Sequence, residues 1–251
     1  MIFKEKLTEI SESFFYFIVW SYLYITFMVI PLLFYKVRFE GVENLPKGGR
    51  YVIAANHQNF FDGLLPACIF GPIRKICFLV SKKSLKNKMF LLIARLMGSV
   101  IVDSDVESIQ KAFEELHKTL NKNGIVVIFP EGKVSSKEVP SKFKGGVAKL
   151  SIDAQVAVVP AYLKGTYELR YFKKWFKSHE IIFKIGKPIE LYKIADEYNY
   201  NLESAAEFLR EQIISLSGIG NAVEIEQTER KSSRLGIPLK IYENKINEPV
   251  A

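Results

Sequence analysis

Residues 51–62 read Tyr-Val-Ile-Ala-Ala-Asn-His-Gln-Asn-Phe-Phe-Asp. The first five form a short apolar run without polar alternation, which predicts a β-strand covered on both faces. The residues that follow are mostly polar and include His57 and Asp62, close behind the strand. Because α/β folds carry their ligand sites at the carboxyl ends of the strands, the segment predicts both a fold class and the place of a site.

The rest of the chain consists of short apolar runs separated by helical patterns. Further runs predict strands at 37–42, 76–80, 100–102, 125–129, 156–162 and 181–185. Helical spacing and end signals predict helices at 63–70, 88–97, 106–123, 147–153 and 202–215. Such strands separated by helices are typical of the α/β class, here with a mostly parallel central sheet covered by helices.

The amino-terminal segment is apolar and carries no charge between Glu12 and Lys36. Residues 13–35 read SFFYFIVWSYLYITFMVIPLLFY, and about 20 such residues suffice to cross a bilayer. Pro31 and the central tyrosines are equally compatible with a helix that lies within one leaflet. We predict a membrane-associated helix over 1–36; a buried core helix of a soluble protein is the alternative.

Composition indicates a folded domain with an anionic partner. Hydrophobic residues make up 49% of the chain and charged residues 25%, which excludes global disorder. The main domain is predicted over 37–223, with a charged carboxyl-terminal extension of unknown role over 224–251. The net charge of +8 favours nucleic acid, anionic lipid or phosphorylated substrates. Only two cysteines are present, which argues against a disulfide framework.

His57 and Asp62 are candidates for acid–base chemistry. An aspartate five residues after a histidine can fold back and accept a hydrogen bond from one imidazole nitrogen if the chain between them turns. That contact fixes the tautomer and leaves the other nitrogen as a general base. The spacing alone is also compatible with a structural histidine and with an aspartate that caps the following helix.

A second candidate segment is Phe129-Pro130-Glu131-Gly132-Lys133. A buried strand brings a carboxylate, a glycine and a lysine to the same predicted sheet edge. Gly132 permits a close backbone approach, and Lys133 is a candidate anion contact. Two roles are compatible with Glu131, namely binding acceptor hydroxyls and bracing the loop.

Together these segments resemble the glycerolipid acyltransferase superfamily, which includes the lysophosphatidic acid acyltransferases. The resemblance rests on the Asn-His-x-x-x-x-Asp stretch at 56–62 and on Phe-Pro-Glu-Gly at 129–132. Supporting motifs are Lys82-Lys83-Ser84-Leu85, Phe143-Lys144-Gly145, Val159-Pro160 and Ile185-Gly186-Lys187-Pro188-Ile189. The similarity covers roughly residues 40–190, and an apolar amino-terminal segment is also typical of that superfamily.

The resemblance implies an O-acyltransferase of phospholipid biosynthesis. His57, oriented by Asp62, would deprotonate a lysophospholipid hydroxyl, which attacks the thioester of acyl-CoA or acyl-carrier protein; no metal and no resident cofactor is implied. The implied substrate-binding residues are Asn56, Lys82, Glu131, Gly132, Lys133 and Lys144. The implied location is the membrane, with the active site facing the cytoplasm.

Two departures from the family pattern concern the acceptor. Val134 and Ser104 stand where the family carries arginines associated with acceptor phosphate, and lysine lacks the bidentate fork that suits phosphate. A different lysolipid acceptor and a non-catalytic membrane-binding protein of the same fold therefore remain alternatives. Basic residues mixed with aromatics at 164–177 suit anionic bilayers or single-stranded nucleic acid; the apolar segment favours lipid, and no nucleic-acid partner is predicted.

Overall fold

A computed structural model describes residues 36–70, 76–85, 98–135, 137–170, 180–197 and 201–218, together with 17–18, 21–22, 25–26, 91 and 94–95. The predicted extension at 224–251 and most of the predicted helix at 88–97 lie outside these residues. So does most of the apolar segment at 13–35, of which only 17–18, 21–22 and 25–26 are described, as helix. Among the described residues, no helix has the length and apolar character needed to cross a bilayer.

One seven-stranded sheet forms the centre of the domain. The strands are β1 (Lys36–Glu40), β2 (Tyr51–Ala55), β3 (Ile76–Ser81), β4 (Val100–Val102), β5 (Ile125–Ile128), β6 (Val158–Lys164) and β7 (Glu180–Ile185). Their order in the sheet is β1-β7-β6-β2-β5-β3-β4. Every neighbouring pair is parallel except β6 and β7. The predicted α/β class with a mostly parallel sheet is confirmed.

Five helices whose two ends are both described accompany the sheet. They are α1 (Leu64–Phe70), α2 (Val106–Asn121), α3 (Gly146–Ala154), α4 (Leu191–Glu197) and α5 (Leu202–Ser217). Asp105 and Asn201 begin α2 and α5 by accepting hydrogen bonds from first-turn amides, which satisfies donors that have no partner within the helix. Helix α4 was not predicted from the sequence.

The apolar run at 51–55 is buried because helices cover both faces of the sheet. Successive side chains of a strand point to opposite faces. Val52 and Ala54 therefore pack with residues of α2, α3 and α5, including Leu116, Leu150 and Leu209. Tyr51, Ile53 and Ala55 pack on the other face with residues of α1 and the outer strands. Strand β2 is thus held at the centre of the sheet, and its carboxyl end is a fixed platform for the residues that follow.

Candidate active site

The strand order brings the two candidate segments together. Strand β2 lies between β5 and β6 and is parallel to both. The segment from Asn56 to Asp62 follows β2, and the segment from Phe129 to Val134 follows β5. Both therefore leave the sheet at the same carboxyl edge, as the sequence predicts.

Asp62 folds back onto His57 as predicted. Residues Phe60–Gly63 form a 3₁₀ turn, and Asp62 Oδ2 lies 2.9 Å from His57 Nδ1. The same oxygen accepts hydrogen bonds from the backbone amides of Gln58 and Asn59. Asp62 is fully buried, whereas 19% of the His57 side chain is exposed. The carboxylate therefore binds the histidine loop that precedes it. The expected contact between Asp62 and His57 is present, and the catalytic roles of the two residues stay predictions.

Phe129 contributes a contact that the sequence analysis missed. Its ring stacks on the imidazole of His57, with ring centroids 4.2 Å apart and an interplanar angle of 17°. The stack fixes the plane of the imidazole, and an aromatic face also attracts a cation. The sequence offers one signal for this contact, which is an aromatic residue directly after β5, the strand that lies beside β2.

Glu131 links the two segments through both of its oxygens. The residue is 4% exposed. Oε1 accepts a hydrogen bond of 2.9 Å from the backbone amide of His57. Oε2 accepts from the amide and the hydroxyl of Ser141, at 2.9 and 2.7 Å. These contacts favour the bracing role for Glu131 over contacts with acceptor hydroxyls, because buried carboxylate oxygens with such donors are already satisfied.

The side chain of Asn56, like that of Glu131, has its polar atoms hydrogen-bonded within the protein. It is 1% exposed, its Nδ2 donates to the carbonyl of Leu163 at 2.9 Å, and its Oδ1 accepts from the amide of Leu163 at 2.6 Å. The side chain therefore ties the end of β2 to β6. This placement suits a residue that positions His57 better than one that contacts substrate.

An open cavity of about 550 Å³ lies beside the loop after β5. Its wall residues are Glu131, Gly132, Lys133, Ser141, Lys142, Phe143, Lys144, Gly145 and Glu203. Lysines dominate its charge, since Glu131 is buried and hydrogen-bonded. Lys142, which was not predicted, is 3.7 Å from Glu203. Lys133 and Lys144 form no ion pair within the described part of the chain.

Gly132 allows Lys144 to cross the loop closely. The glycine has φ +66°, and a Cβ placed there would lie 2.7 Å from both Cε and Nζ of Lys144. The amide of Gly132 donates to the carbonyl of Phe129 at 3.0 Å, so this amide is used by the turn. Four predicted substrate-binding residues therefore line one cavity: Gly132, Lys133, Lys144 and the buried Glu131.

Lys82 lies elsewhere on the same sheet edge. It follows β3, and its ammonium is 2.9 Å from the carboxylate of Asp103, which follows β4. The hydrogen bond to Asp103 raises the pKa of Lys82, and the same bond lowers the pKa of Asp103. Lys82 does not line the described cavity; its described partner is Asp103 at the end of the neighbouring strand β4.

The cysteines have no place in this site. Cys77 is buried in β3, and burial raises the pKa of the Cys68 thiol to about 12. A thiol with such a pKa is not a nucleophile at neutral pH.

Comparison with known proteins assigns this arrangement to a family. The model of a family described as Acyltransferase matches residues 36–164, about half of the chain. The chain belongs to the acyltransferase family. The resemblance based on residues 56–62 and 129–132 is thereby confirmed.

Similar proteins carry names within this acyltransferase family. A probable 1-acyl-sn-glycerol-3-phosphate acyltransferase of Mycoplasma pneumoniae is 27% identical over 62% of this chain and 59% of its own length. A 1-acyl-sn-glycerol-3-phosphate acyltransferase of Borreliella burgdorferi is 25% identical over 71% of this chain and 70% of its own. For three of the curated relatives, including the Mycoplasma pneumoniae protein, the match spans only 37–59% of the relative's own length.

A solved acyltransferase structure shares the fold. The crystal structure of the 1-acyl-sn-glycerophosphate acyltransferase from Thermotoga maritima superimposes with a TM-score of 0.54 and 24% sequence identity. The match covers 74% of this chain and 72% of that one. It supports the α/β architecture described above.

The segment matched to the acyltransferase family contains every site residue predicted from the sequence, from Asn56 to Lys144. The two departures from the family pattern lie in the same segment. Val134 is 40% exposed and adjoins Lys133. Ser104 is exposed and its amide donates to the side chain of Asp103. Neither side chain carries a charge with which to bind an anion.

Proposed function

We propose that this chain is a membrane-associated O-acyltransferase that acylates a lysophospholipid of the 1-acylglycerol-3-phosphate type. The observation that carries the proposal is the contact between His57 and the buried Asp62, next to the loop after β5. A partly exposed imidazole held by a buried carboxylate is the arrangement that general-base catalysis requires. The names of the relatives support the choice of acceptor.

In the proposed reaction His57 acts through the nitrogen that faces away from Asp62. Nδ1–H donates to Asp62 Oδ2, so Nε2 has a free electron pair and takes the proton of the acceptor hydroxyl. The acceptor oxygen forms a bond to the thioester carbonyl carbon, and the carbon–sulfur bond then breaks. The imidazolium returns its proton to the departing thiolate, so the products are an ester and a free thiol.

The neighbouring residues support this proton transfer. The carboxylate of Asp62 stabilises the imidazolium that forms, and the face of Phe129 does the same through its ring. We propose that Asn56 and Glu131 hold the backbone of the histidine loop and do not contact substrate, because their polar atoms are already paired with Leu163, His57 and Ser141. The thioester is already activated, so the proposal includes no metal and no resident cofactor.

We propose that the lysine-lined cavity binds the phosphate of the acceptor. Lys133 and Lys144 have no described ion-pair partner there, and Val134 supplies no charge. An ammonium binds phosphate as a point charge without the paired donors of a guanidinium. Val134 and Ser104 stand where the family carries arginines. Lysolipids with other headgroups are therefore a second candidate class of acceptor.

Replacement of Lys144 by alanine should raise the KM for the lysophospholipid about tenfold, the usual scale for loss of a charge-assisted hydrogen bond. The KM for the acyl donor should remain unchanged. Lys149→Ala is the matched control, because Lys149 is exposed on the next helix and pairs with Asp153. Steady-state kinetics with each substrate varied in turn provide the measurement. A Lys144→Ala enzyme with wild-type KM for the acceptor contradicts the assignment of the cavity.

The proposed activity is tested with the purified full chain in lipid vesicles. Acyl-CoA and acyl-carrier protein are each offered with a panel of lysolipids, and the products are identified by mass spectrometry. We expect a phosphatidate, the acylated form of the lysophospholipid, and we expect its formation to require His57. Turnover with another acceptor supports the second candidate, and no turnover with any pair supports a non-catalytic membrane-binding protein.

Membrane attachment through 1–36, with the active site facing the cytoplasm, belongs to the same proposal. The support is the uncharged run at 13–35 and the exposure of Phe17, Ile18, Tyr22 and Ile25 at the described helical positions. Flotation of the full chain with vesicles, with and without residues 1–36, measures the attachment. The proposal fails if both forms float equally.

A further inference from the structure

Arg210 is a partly buried basic residue that no sequence motif identifies. It lies in α5, beyond the segment 36–164 that matches the family, and 22% of its side chain is exposed. Its Nε donates to the carbonyl oxygens of Pro140 and Ser141, at 2.9 and 3.1 Å. Its Nη1 binds Glu207 on the same helix at 2.6 Å. One guanidinium therefore joins α5 to the loop that precedes α3.

The contacts of Arg210 continue to the candidate active site. Ser141, held through its carbonyl by Arg210, donates its amide and hydroxyl to Glu131 Oε2. The other oxygen of Glu131 accepts from the amide of His57. A continuous path of hydrogen bonds thus runs from α5 through Ser141 and Glu131 to the backbone of the proposed base.

We infer that Arg210 is a positioning residue for acyl transfer, acting on His57 through Ser141 and Glu131. Glu131 is a buried carboxylate, and a buried charge must keep its hydrogen bonds to remain in place. Of its three donors in the described part of the chain, two belong to Ser141. If Ser141 moves, Glu131 loses those donors and no longer holds the amide of His57 in one position.

The second contact of Arg210 provides a matched control. Among the described residues, Glu207 accepts a hydrogen bond only from Nη1 of Arg210, and its side chain is 43% exposed. Glu207→Gln therefore removes the ion pair and leaves both bonds from Nε to the loop. Arg210→Gln removes the guanidinium itself. Tyr162 also holds this loop, through a 3.2 Å bond from its hydroxyl to the carbonyl of Glu138, so the variant retains an anchor and is expected to fold.

Hydrogen-exchange mass spectrometry tests the inference independently of whether the protein has enzymatic activity. Arg210→Gln should accelerate exchange in peptides that cover 137–142 and also in those that cover 56–59. Glu207→Gln should change neither. A rise confined to 137–142 overturns the inference, because Arg210 then acts on its own loop alone.

Kinetics supply a second readout, which rests on the proposed function. We expect Arg210→Gln to lower kcat about tenfold, the scale of one lost hydrogen bond, with both KM values within about twofold of the wild type. The double variant with Arg210→Gln and Glu131→Gln should have a kcat close to that of Glu131→Gln alone, because both changes interrupt the same path of hydrogen bonds. Multiplying effects overturn the inference. If the wild type lacks turnover, the proposed function fails, and hydrogen exchange still decides the role of Arg210.

Where Arg210→Gln proves too unstable to purify, Ser141→Ala tests the same path. It removes one of the donors to Glu131 Oε2 and leaves the Ser141 amide and carbonyl in place. We expect faster exchange at 56–59 and a smaller loss of kcat, about threefold, since one neutral donor contributes less than the whole anchor. Unchanged exchange at 56–59 counts against the path.

Discussion

Replacing His57 by alanine should lower the rate of acyl transfer by about 10³-fold, within the range that a positioned general base contributes. The alanine side chain cannot take the acceptor proton or return it to the leaving thiol. Binding should persist, because the lysine-lined cavity is formed by other residues. Single-turnover assays with saturating donor and acceptor isolate this chemical step from binding.

The control for this variant is His117→Ala. His117 lies on α2, outside the residues that line the cavity or contact Asp62. It reports the effect of losing an imidazole where no chemistry is proposed, and wild-type activity is expected. If the His57→Ala enzyme binds vesicles like the wild type and retains full activity, His57 is not the general base.

Much of the sheet could be predicted because β2 and β5 are buried on both faces. Continuous apolar runs signal such strands directly, and the run at 51–55 matches β2 residue for residue. Helix α4 was missed for a related reason. It spans only Leu191–Glu197 and has Leu191 as its one described side chain in the core, so it shows too little apolar periodicity to detect.

The contact between His57 and Asp62 could be predicted because it is local. The two residues are five positions apart, and one turn brings them together. The partners of Glu131 could not be predicted, because they come from a backbone amide far away in the sequence and from Ser141 across a loop. Such contacts depend on strand order, which short motifs do not specify.

The charged residues show the same limit. Lys82 was predicted to bind substrate from its motif, yet its ammonium pairs with Asp103 at the end of the adjacent strand. Arg210 reaches Ser141 from a helix almost seventy residues later. The fold determines which partners a long side chain can reach. Sequence spacing indicates a partner only when the two residues lie on the same helix.

Asp62→Asn should lower kcat by about 10²- to 10⁴-fold, the second large effect that the site predicts. Asp62 Oδ2 accepts from Gln58, Asn59 and His57, while Oδ1 has no hydrogen-bond partner among the described residues. An asparagine can place its oxygen at the Oδ2 position and keep all three donors. What it loses is the negative charge that stabilises the imidazolium.

Asp62→Asn therefore separates two roles for one side chain. If Asp62 serves only to hold the loop, its amide replacement keeps the same bonds and activity stays near that of Asp153→Asn, a matched change at an exposed ion pair. If Asp62 supports the base, kcat falls although the protein stays folded; the amide NH2 at the position of the unpartnered Oδ1 should cost no more than about 1–3 kcal/mol of stability. Combined with His57→Ala, the loss should not deepen, because a carboxylate that acts through the imidazole has no effect once the imidazole is gone.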